Sequence, residues 1–181
     1  AESLRRLKKP RKKPSGKTLR SESAKLSFVA KRLLCASPKG LSYFALHKLC
    51  FLAEVASLEA TGERLTNAYV VRQKDGPYFV DLHLAKLAHM LPDLQTWSER
   101  GKLFLRLAPQ ADLLAGEESL VLAEHDEASI QKVLTKYGQM PDDELKRVVY
   151  LSKYMRALLR KERSSGANLY NAAVLPFNPQ S

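Results

Sequence analysis

The fold is decided by the stretch from Leu46 to Leu91, which reads LHKLCFLAEVASLEATGERLTNAYVVRQKDGPYFVDLHLAKLAHML. Its first part is apolar on nearly every side when placed on a helix, which is typical of a helix at the centre of a core. A short β-branched strand and the turn Asp75-Gly76-Pro77 follow, and an amphipathic helical pattern completes the stretch. The stretch holds no catalytic constellation, so we expect the protein to act by binding.

The patterns along the chain predict a mainly helical α+β protein with one small sheet of two or three strands. Pro77 suits the first position of a helix, and Gly62 and Gly138 suit positions just after helix ends. We expect helices over Ser23–Ala36, Ser42–Thr61, Pro77–Leu91, Ile130–Tyr137 and Pro141–Arg163, and strands over Ala68–Gln73, Lys102–Leu107 and Ser119–Ala123.

The sequence predicts three parts, which are a basic tail (1–22), a folded domain (23–165) and an irregular C-terminal tail (166–181). The basic tail is distinguished by its charge. Residues 1–20 hold nine Lys or Arg and one acid, so they carry +8 of the net charge of +11. They have almost no apolar content and include two prolines, which predicts a flexible segment. The remaining residues carry a net charge of only +3.

The basic tail has one clear electrostatic consequence, which is weak, salt-dependent and sequence-independent attraction to DNA or RNA. It has no aromatic residues on which bases could stack. A solubilising arm, or an arm that contacts an acidic protein surface, is the alternative interpretation. The candidate nucleic-acid contacts are Arg5, Arg6, Lys8, Lys9, Arg11, Lys12, Lys13 and Lys17.

Several classes of protein do not fit the sequence. Cys35 and Cys50 are isolated among apolar residues, which favours a reducing compartment over a disulfide scaffold. No secretory signal and no apolar run of about 20 residues is present, so we expect a soluble cytoplasmic protein without a membrane partner. The four histidines form no metal motif, and no nucleophile elbow occurs. We therefore expect no catalytic residues, no metal and no cofactor.

The order of motifs resembles the Panacea-domain antitoxins of bacterial and phage toxin–antitoxin systems, which include the SocA-like proteins. The family pattern LxKLLYFA has its counterpart in Leu46–Ala53, and Gly62 and a short strand at Tyr69–Val71 follow. The family's GPV-type turn corresponds to Gly76-Pro77-Tyr78. Ile130–Tyr137 with Gly138, and the helix that contains Leu145, resemble the closing helices, so the similarity covers roughly residues 25–165.

The resemblance implies an antitoxin that neutralises a cognate protein toxin by direct contact. It also implies a protease as a second partner, because some relatives resemble adaptors that deliver a toxin to a protease. We predict that Gly76, Pro77, Tyr78 and Phe79 contact the partner, since aromatic side chains are enriched at interface hot spots. In the alternative interpretation, Tyr78 and Phe79 pack on the central helix.

Overall fold

The computed structural model describes residues 16–109 and 122–179, with side chains from residue 24 onward within these ranges. It confirms the expected mainly helical α+β architecture. The helices in this part of the chain are α1 (Gly16–Cys35), α2 (Tyr43–Thr61), α3 (Leu84–Met90), α4 (Glu124–Tyr137), α5 (Asp142–Leu151) and α6 (Lys153–Ser165). The strands are β1 (Leu41–Ser42), β2 (Val70–Gln73), β3 (Gly76–Phe79), β4 (Leu94–Glu99) and β5 (Lys102–Leu107).

The strands form two small antiparallel sheets instead of the single sheet that we expected. One has the order β1-β5-β4, in which Leu41 pairs with Leu105. The other is the β2–β3 hairpin, in which Gln73 pairs with Gly76 across a two-residue loop. The alternation of residues predicted β5, but it did not predict β4, whose side chains are all at least partly exposed.

Helix α2 is the centre of the molecule, and every residue from Ala45 to Ser57 is buried. Helices α1, α4 and α5 all pack against it. The Ser42 hydroxyl accepts a hydrogen bond of 2.9 Å from the backbone N–H of Ala45 and so caps the helix start. Gly62 ends the helix with a positive φ of 77°, as predicted. The apolar pattern therefore located this helix almost to the residue.

The prediction that Pro77 begins a helix is wrong, because Pro77 lies inside β3. It pairs with Arg72, whose own N–H donates away from the hairpin to the carbonyl oxygen of Ala172. Proline lacks an N–H, but at this position of the ladder none is needed. The helical pattern after it breaks into a 3-10 turn at Val80–Leu82 and the short helix α3.

Several other element boundaries differ from expectation. Helix α4 begins at Glu124 instead of Ile130. Helix α1 begins at Gly16 instead of Ser23, since residues 17–22 contain no proline or glycine to interrupt a helix. The long helix expected over Pro141–Arg163 is two helices, because Ser152 has an extended backbone between them. The strand predicted over Ser119–Ala123 falls mostly outside the described residues, and its last two residues are not in a strand.

The segment that follows α6, residues 167–179, is irregular as expected, but it packs along β2. The N–H of Val174 donates to the carbonyl oxygen of Val70 at 3.0 Å, and Ala173 forms a β-bridge with Val71. Val174 and Leu175 are buried in the core. Within the described ranges, no helix combines the length and apolar character that crossing a membrane requires.

Candidate functional site

Two adjacent side chains of α2 cover the free edge of β3. The Nζ atom of Lys48 donates a hydrogen bond of 3.1 Å to the carbonyl oxygen of Pro77. The backbone N–H of Phe79 donates one of 3.0 Å to Nδ1 of His47. Both bonds satisfy backbone groups that point away from β2, so the helix fixes the position of the hairpin. The helix motif and the turn motif of the sequence are therefore in direct contact.

Lys48 is buried, with 3% of its surface exposed, and it forms no ion pair with any other described residue. Its ammonium group lies 4.3 Å from the centre of the Phe44 ring, within the range of a cation–π interaction. Burial lowers the pKa of Lys48 to about 8, and the nearby Asp75 carboxylate opposes this shift. At pH 7 Lys48 therefore keeps its proton on most molecules, which suits a hydrogen-bond donor.

His47 is held as a neutral imidazole. Because Nδ1 accepts the hydrogen bond from Phe79, the ring proton belongs on Nε2. That nitrogen is buried and has no hydrogen-bond partner among the described residues. Burial lowers the pKa of His47 to about 3, and the charge of Lys48 adds to the shift. His47 is therefore a buried histidine of the core with 2% of its surface exposed.

Tyr78 lies between the core and the surface. Its ring stacks on His47 with 4.3 Å between ring centres. Its hydroxyl is 3.0 Å from the hydroxyl of Tyr43, which in turn donates to the carbonyl oxygen of Leu82 at 2.9 Å. Burial and the hydrogen bond with Tyr78 raise the pKa of Tyr43. The two tyrosines thus remain neutral and hold each other in fixed orientations.

The four residues predicted to contact a partner differ sharply in exposure. Gly76 and Pro77 are buried, and Phe79 is fully buried in the core, so the interpretation that its ring packs inside is the correct one. Among these four residues, only Tyr78 has a partly exposed side chain. A partner-binding role for these four residues stays a prediction.

Two physical reasons favour glycine at position 76. Its φ is +103°, a backbone conformation that residues with a Cβ rarely adopt. A Cβ at this position would also lie 3.1 Å from Cε2 of Tyr150 and 3.5 Å from Cε of Lys48. The turn therefore approaches α2 and α5 closely only because residue 76 has no side chain.

An ion pair closes the other side of the hairpin. Nε of Arg72 donates to Oε1 of Glu162 on α6 at 3.1 Å, and both side chains are largely buried. The guanidinium group also lies over the rings of Tyr150 and Tyr170, at 5.6 and 5.4 Å. The hydrogen bond from Arg72 lowers the pKa of Glu162, with a further contribution from the backbone N–H of Leu169. Helices α5 and α6 thereby anchor the hairpin from this side.

The tail cations predicted to contact nucleic acid stay a prediction. The seven from Arg5 to Lys13 lie outside the described residues. Lys17 lies in the first turn of α1, where only the backbone is described.

The sequence interpretation missed the residues that fix the hairpin, above all Lys48 and the Arg72–Glu162 pair. One signal was available, because charged and polar residues such as Lys48 and Glu54 interrupt an otherwise apolar helix. A charged side chain on a buried helix requires a partner. The identity of that partner, a carbonyl oxygen 29 residues away in the case of Lys48, is not visible in a local pattern.

Comparison with curated proteins and with solved structures gave no match. The family profile described as "Antitoxin SocA-like, Panacea domain" matches residues 46–153. This range begins at the α2 motif, contains the whole hairpin with its contacts to His47 and Lys48, and ends at the first residue of α6. It covers well over half of the chain, which therefore belongs to the family of SocA-like, Panacea-domain antitoxins and has a role related to toxin–antitoxin systems.

Proposed function

We propose that the protein neutralises a cognate protein toxin by binding it directly, through the surface around Tyr78 on the β2–β3 hairpin. One observation supports this proposal above the others. The motif residues on α2 and at the turn contact one another and fix β3. Among the four predicted contact residues from Gly76 to Phe79, Tyr78 is the one whose side chain is not buried. Membership of an antitoxin family supports a toxin as the class of partner.

Tyr78 has the properties of an interface anchor. Its ring is stacked on His47 and its hydroxyl is bonded to Tyr43, so little side-chain freedom remains to be lost on binding. Tyrosine is enriched among the residues that contribute most to binding free energy. Lys74 and Asp75 form the exposed loop of the same hairpin and would provide a polar rim. A protease as a further partner stays a prediction.

The first test is neutralisation in cells. We expect that co-expression of this chain restores growth that is arrested by a toxin encoded in the adjacent gene. Purified chain and toxin should then form a complex in isothermal titration calorimetry. If the chain neither restores growth nor binds the product of that gene, the proposal of direct neutralisation fails.

The second test addresses Tyr78 itself. Tyr78→Ala should weaken toxin binding by at least about 2 kcal/mol, as loss of a hot-spot residue does. Its free energy of unfolding should fall by about 2 kcal/mol, roughly half of the cost for a fully buried aromatic side chain. Binding is therefore measured at a temperature at which thermal melting shows the variant to be folded.

Phe177→Ala is the matched control for Tyr78→Ala. Phe177 is 50% exposed, stacks on Tyr69 and lies outside the residues that match the family. It should leave toxin affinity unchanged. A folded Tyr78→Ala protein that binds the toxin as tightly as the Phe177→Ala protein would place the interface elsewhere.

A further inference from the structure

The exposed side of α6 is uniformly basic. Five cations on this helix are exposed, and the other exposed side chains from Lys153 to Ser165 are those of Ala157, Ser164 and Ser165. The single acid of the helix, Glu162, lies on the opposite side, where it binds Arg72. We define the α6 basic face by Lys153, Arg156, Arg160, Lys161 and Arg163.

Helical geometry places four of these cations in one row. Lys153, Arg156, Arg160 and Arg163 follow one another at intervals of three or four residues, which is the spacing of one helix face. At 1.5 Å per residue, the row is about 15 Å long. Met155 and Leu158 on the other side are buried and hold the helix against the core. The row is thus a fixed feature of the folded domain.

The charge of this face is not neutralised within the described residues. None of its five cations forms an ion pair there, whereas Lys25, Lys86, Lys102 and Lys146 each pair with an aspartate. Many of the acids of the domain lie in the first turns of other helices. They include Glu124, Asp126 and Glu127 on α4, and Asp142, Asp143 and Glu144 on α5. The near-neutral net charge of the domain therefore conceals a strong separation of charge.

We propose that the α6 basic face binds the phosphate backbone of a nucleic acid. Protein interfaces have an apolar core from which charged residues are depleted. The α6 basic face instead has cations around a single exposed alanine, so it does not resemble such an interface. Three of its cations are arginines, whose planar guanidinium groups bind phosphate through two parallel hydrogen bonds. Contacts to phosphates position a protein without reading sequence, so the expected binding is independent of base sequence.

This surface shares no residue with the proposed toxin-binding surface around Tyr78. All of α6 after Lys153 lies outside the residues that match the family. Loss of nucleic-acid binding can therefore be separated from loss of toxin neutralisation. The α6 basic face is also distinct from the N-terminal tail, which is kept intact in the experiment.

The test is fluorescence anisotropy of the full chain with a labelled 24-base-pair DNA duplex and, separately, a 24-nucleotide single-stranded RNA, at several salt concentrations. The variant combines Lys153→Gln, Arg156→Gln, Arg160→Gln and Arg163→Gln. Each phosphate contact contributes about 0.9 to the slope of log affinity against log salt for duplex DNA. The slope should therefore fall by about 3 to 4, and affinity at 0.1 M salt should drop more than about 100-fold.

The matched control removes the same charge from scattered exposed positions. It combines Lys39→Gln, Arg100→Gln, Lys132→Gln and Lys136→Gln, all of which are exposed. Circular dichroism and thermal melting verify that both proteins are folded. A second measurement on the unaltered chain is lysine acetylation with and without the duplex, in which DNA should protect Lys153 and Lys161.

Three outcomes would overturn the proposal. Equal losses of nucleic-acid affinity in the α6 variant and the control variant would mean that overall charge, and not this face, attracts nucleic acid. An unchanged slope in the α6 variant, with Lys153 and Lys161 unprotected, would exclude the face from binding. An α6 variant that keeps nucleic-acid affinity but loses toxin binding would assign the face to an acidic protein surface.

Discussion

Lys48 is buried at a cost in stability, and this cost is informative about its role. The fall in its pKa from 10.5 to about 8 corresponds to roughly 3 kcal/mol at neutral pH. A methionine of similar length would avoid that cost, but it would leave the carbonyl oxygen of Pro77 without its donor. The ammonium group therefore specifies where the hairpin lies on α2 more than it stabilises the fold.

Gly76→Ala should destabilise the protein more than a glycine substitution at an open turn. Both Gly76 and Gly101 have positive φ, +103° and +74°, so an added Cβ costs about 1–2 kcal/mol at either position. A Cβ at Gly76 would also press on the ring of Tyr150. A Cβ at Gly101 would have no neighbouring atom within 4 Å. We expect Gly76→Ala to lose at least about 1 kcal/mol more than Gly101→Ala in urea unfolding. Equal losses would mean that the turn has room to move away from α5.

His47 should make stability depend on pH in the acidic range. Its pKa falls from 6.5, the ordinary value for histidine in an unfolded chain, to about 3 in the fold, so only the unfolded state gains a proton between these values. Stability is therefore lost as the pH falls from 6.5 towards 3, by about 1.4 kcal/mol per pH unit. His47→Gln keeps an acceptor for the Phe79 N–H but does not titrate.

We expect the unaltered protein to lose about 2 kcal/mol more than His47→Gln between pH 7.5 and pH 5, measured by urea unfolding. The exposed histidines His83, His89 and His125 are present in both proteins, so their contributions cancel. If the two proteins show the same pH dependence, His47 is not held neutral in the fold.

At the scale of elements, the sequence predicted what local patterns determine. Helix α2 was predictable because apolar residues surround it, and its ends carry Ser42 and Gly62. The Asp75-Gly76 turn was predictable from its residue types, but the strand after it was not. Pro77 is as suitable for a helix start as for β3, and only its pairing with Arg72 decides between them. The candidate site depends on such long-range pairing. Sequence patterns therefore predicted Tyr78 as a site residue but did not predict Lys48.

Ser152 determines the break between α5 and α6. Its hydroxyl accepts a hydrogen bond of 3.4 Å from the N–H of Met155, and its own N–H donates to Val149 as α5 ends. Serine is a favoured capping residue, but no proline or glycine stands beside Ser152, so its sequence context did not indicate a break. Ser152→Ala should lower the free energy of unfolding by about 1 kcal/mol, and Ser152→Asp should restore it, because aspartate also caps helices well. Urea unfolding of the two variants measures this, and an Ala variant as stable as the Asp variant would show that the cap is unimportant.

At the scale of the whole molecule, one buried ion pair joins parts that are distant in sequence. Arg64 donates to both carboxylate oxygens of Glu54 on α2 at 3.1 Å, and it also reaches the carbonyl oxygens of Ala68 and Pro176. Asn178 accepts a hydrogen bond from the backbone N–H of Arg64. The pair therefore links the central helix, the loop before β2 and the C-terminal segment, which borders the hairpin.

Arg64→Met should cost about 3–5 kcal/mol in the free energy of unfolding, since it leaves the buried Glu54 carboxylate without its counter-ion. Lys86→Met is the matched control, because Lys86 pairs with Asp81 at 3.0 Å on the surface. Exposed pairs contribute at most about 1 kcal/mol, so this control should change little.

The double variant Glu54→Leu with Arg64→Met separates an ion pair from a wider network. A simple buried pair can be replaced by apolar residues with little loss. Glu54, however, also accepts hydrogen bonds from the backbone N–H groups of Leu65 and Thr66, which the double variant would leave unpaired. We therefore expect the double variant to remain destabilised by at least about 2 kcal/mol in urea unfolding. Recovery to the stability of the unaltered protein would show that the pair acts alone and does not organise the loop before β2.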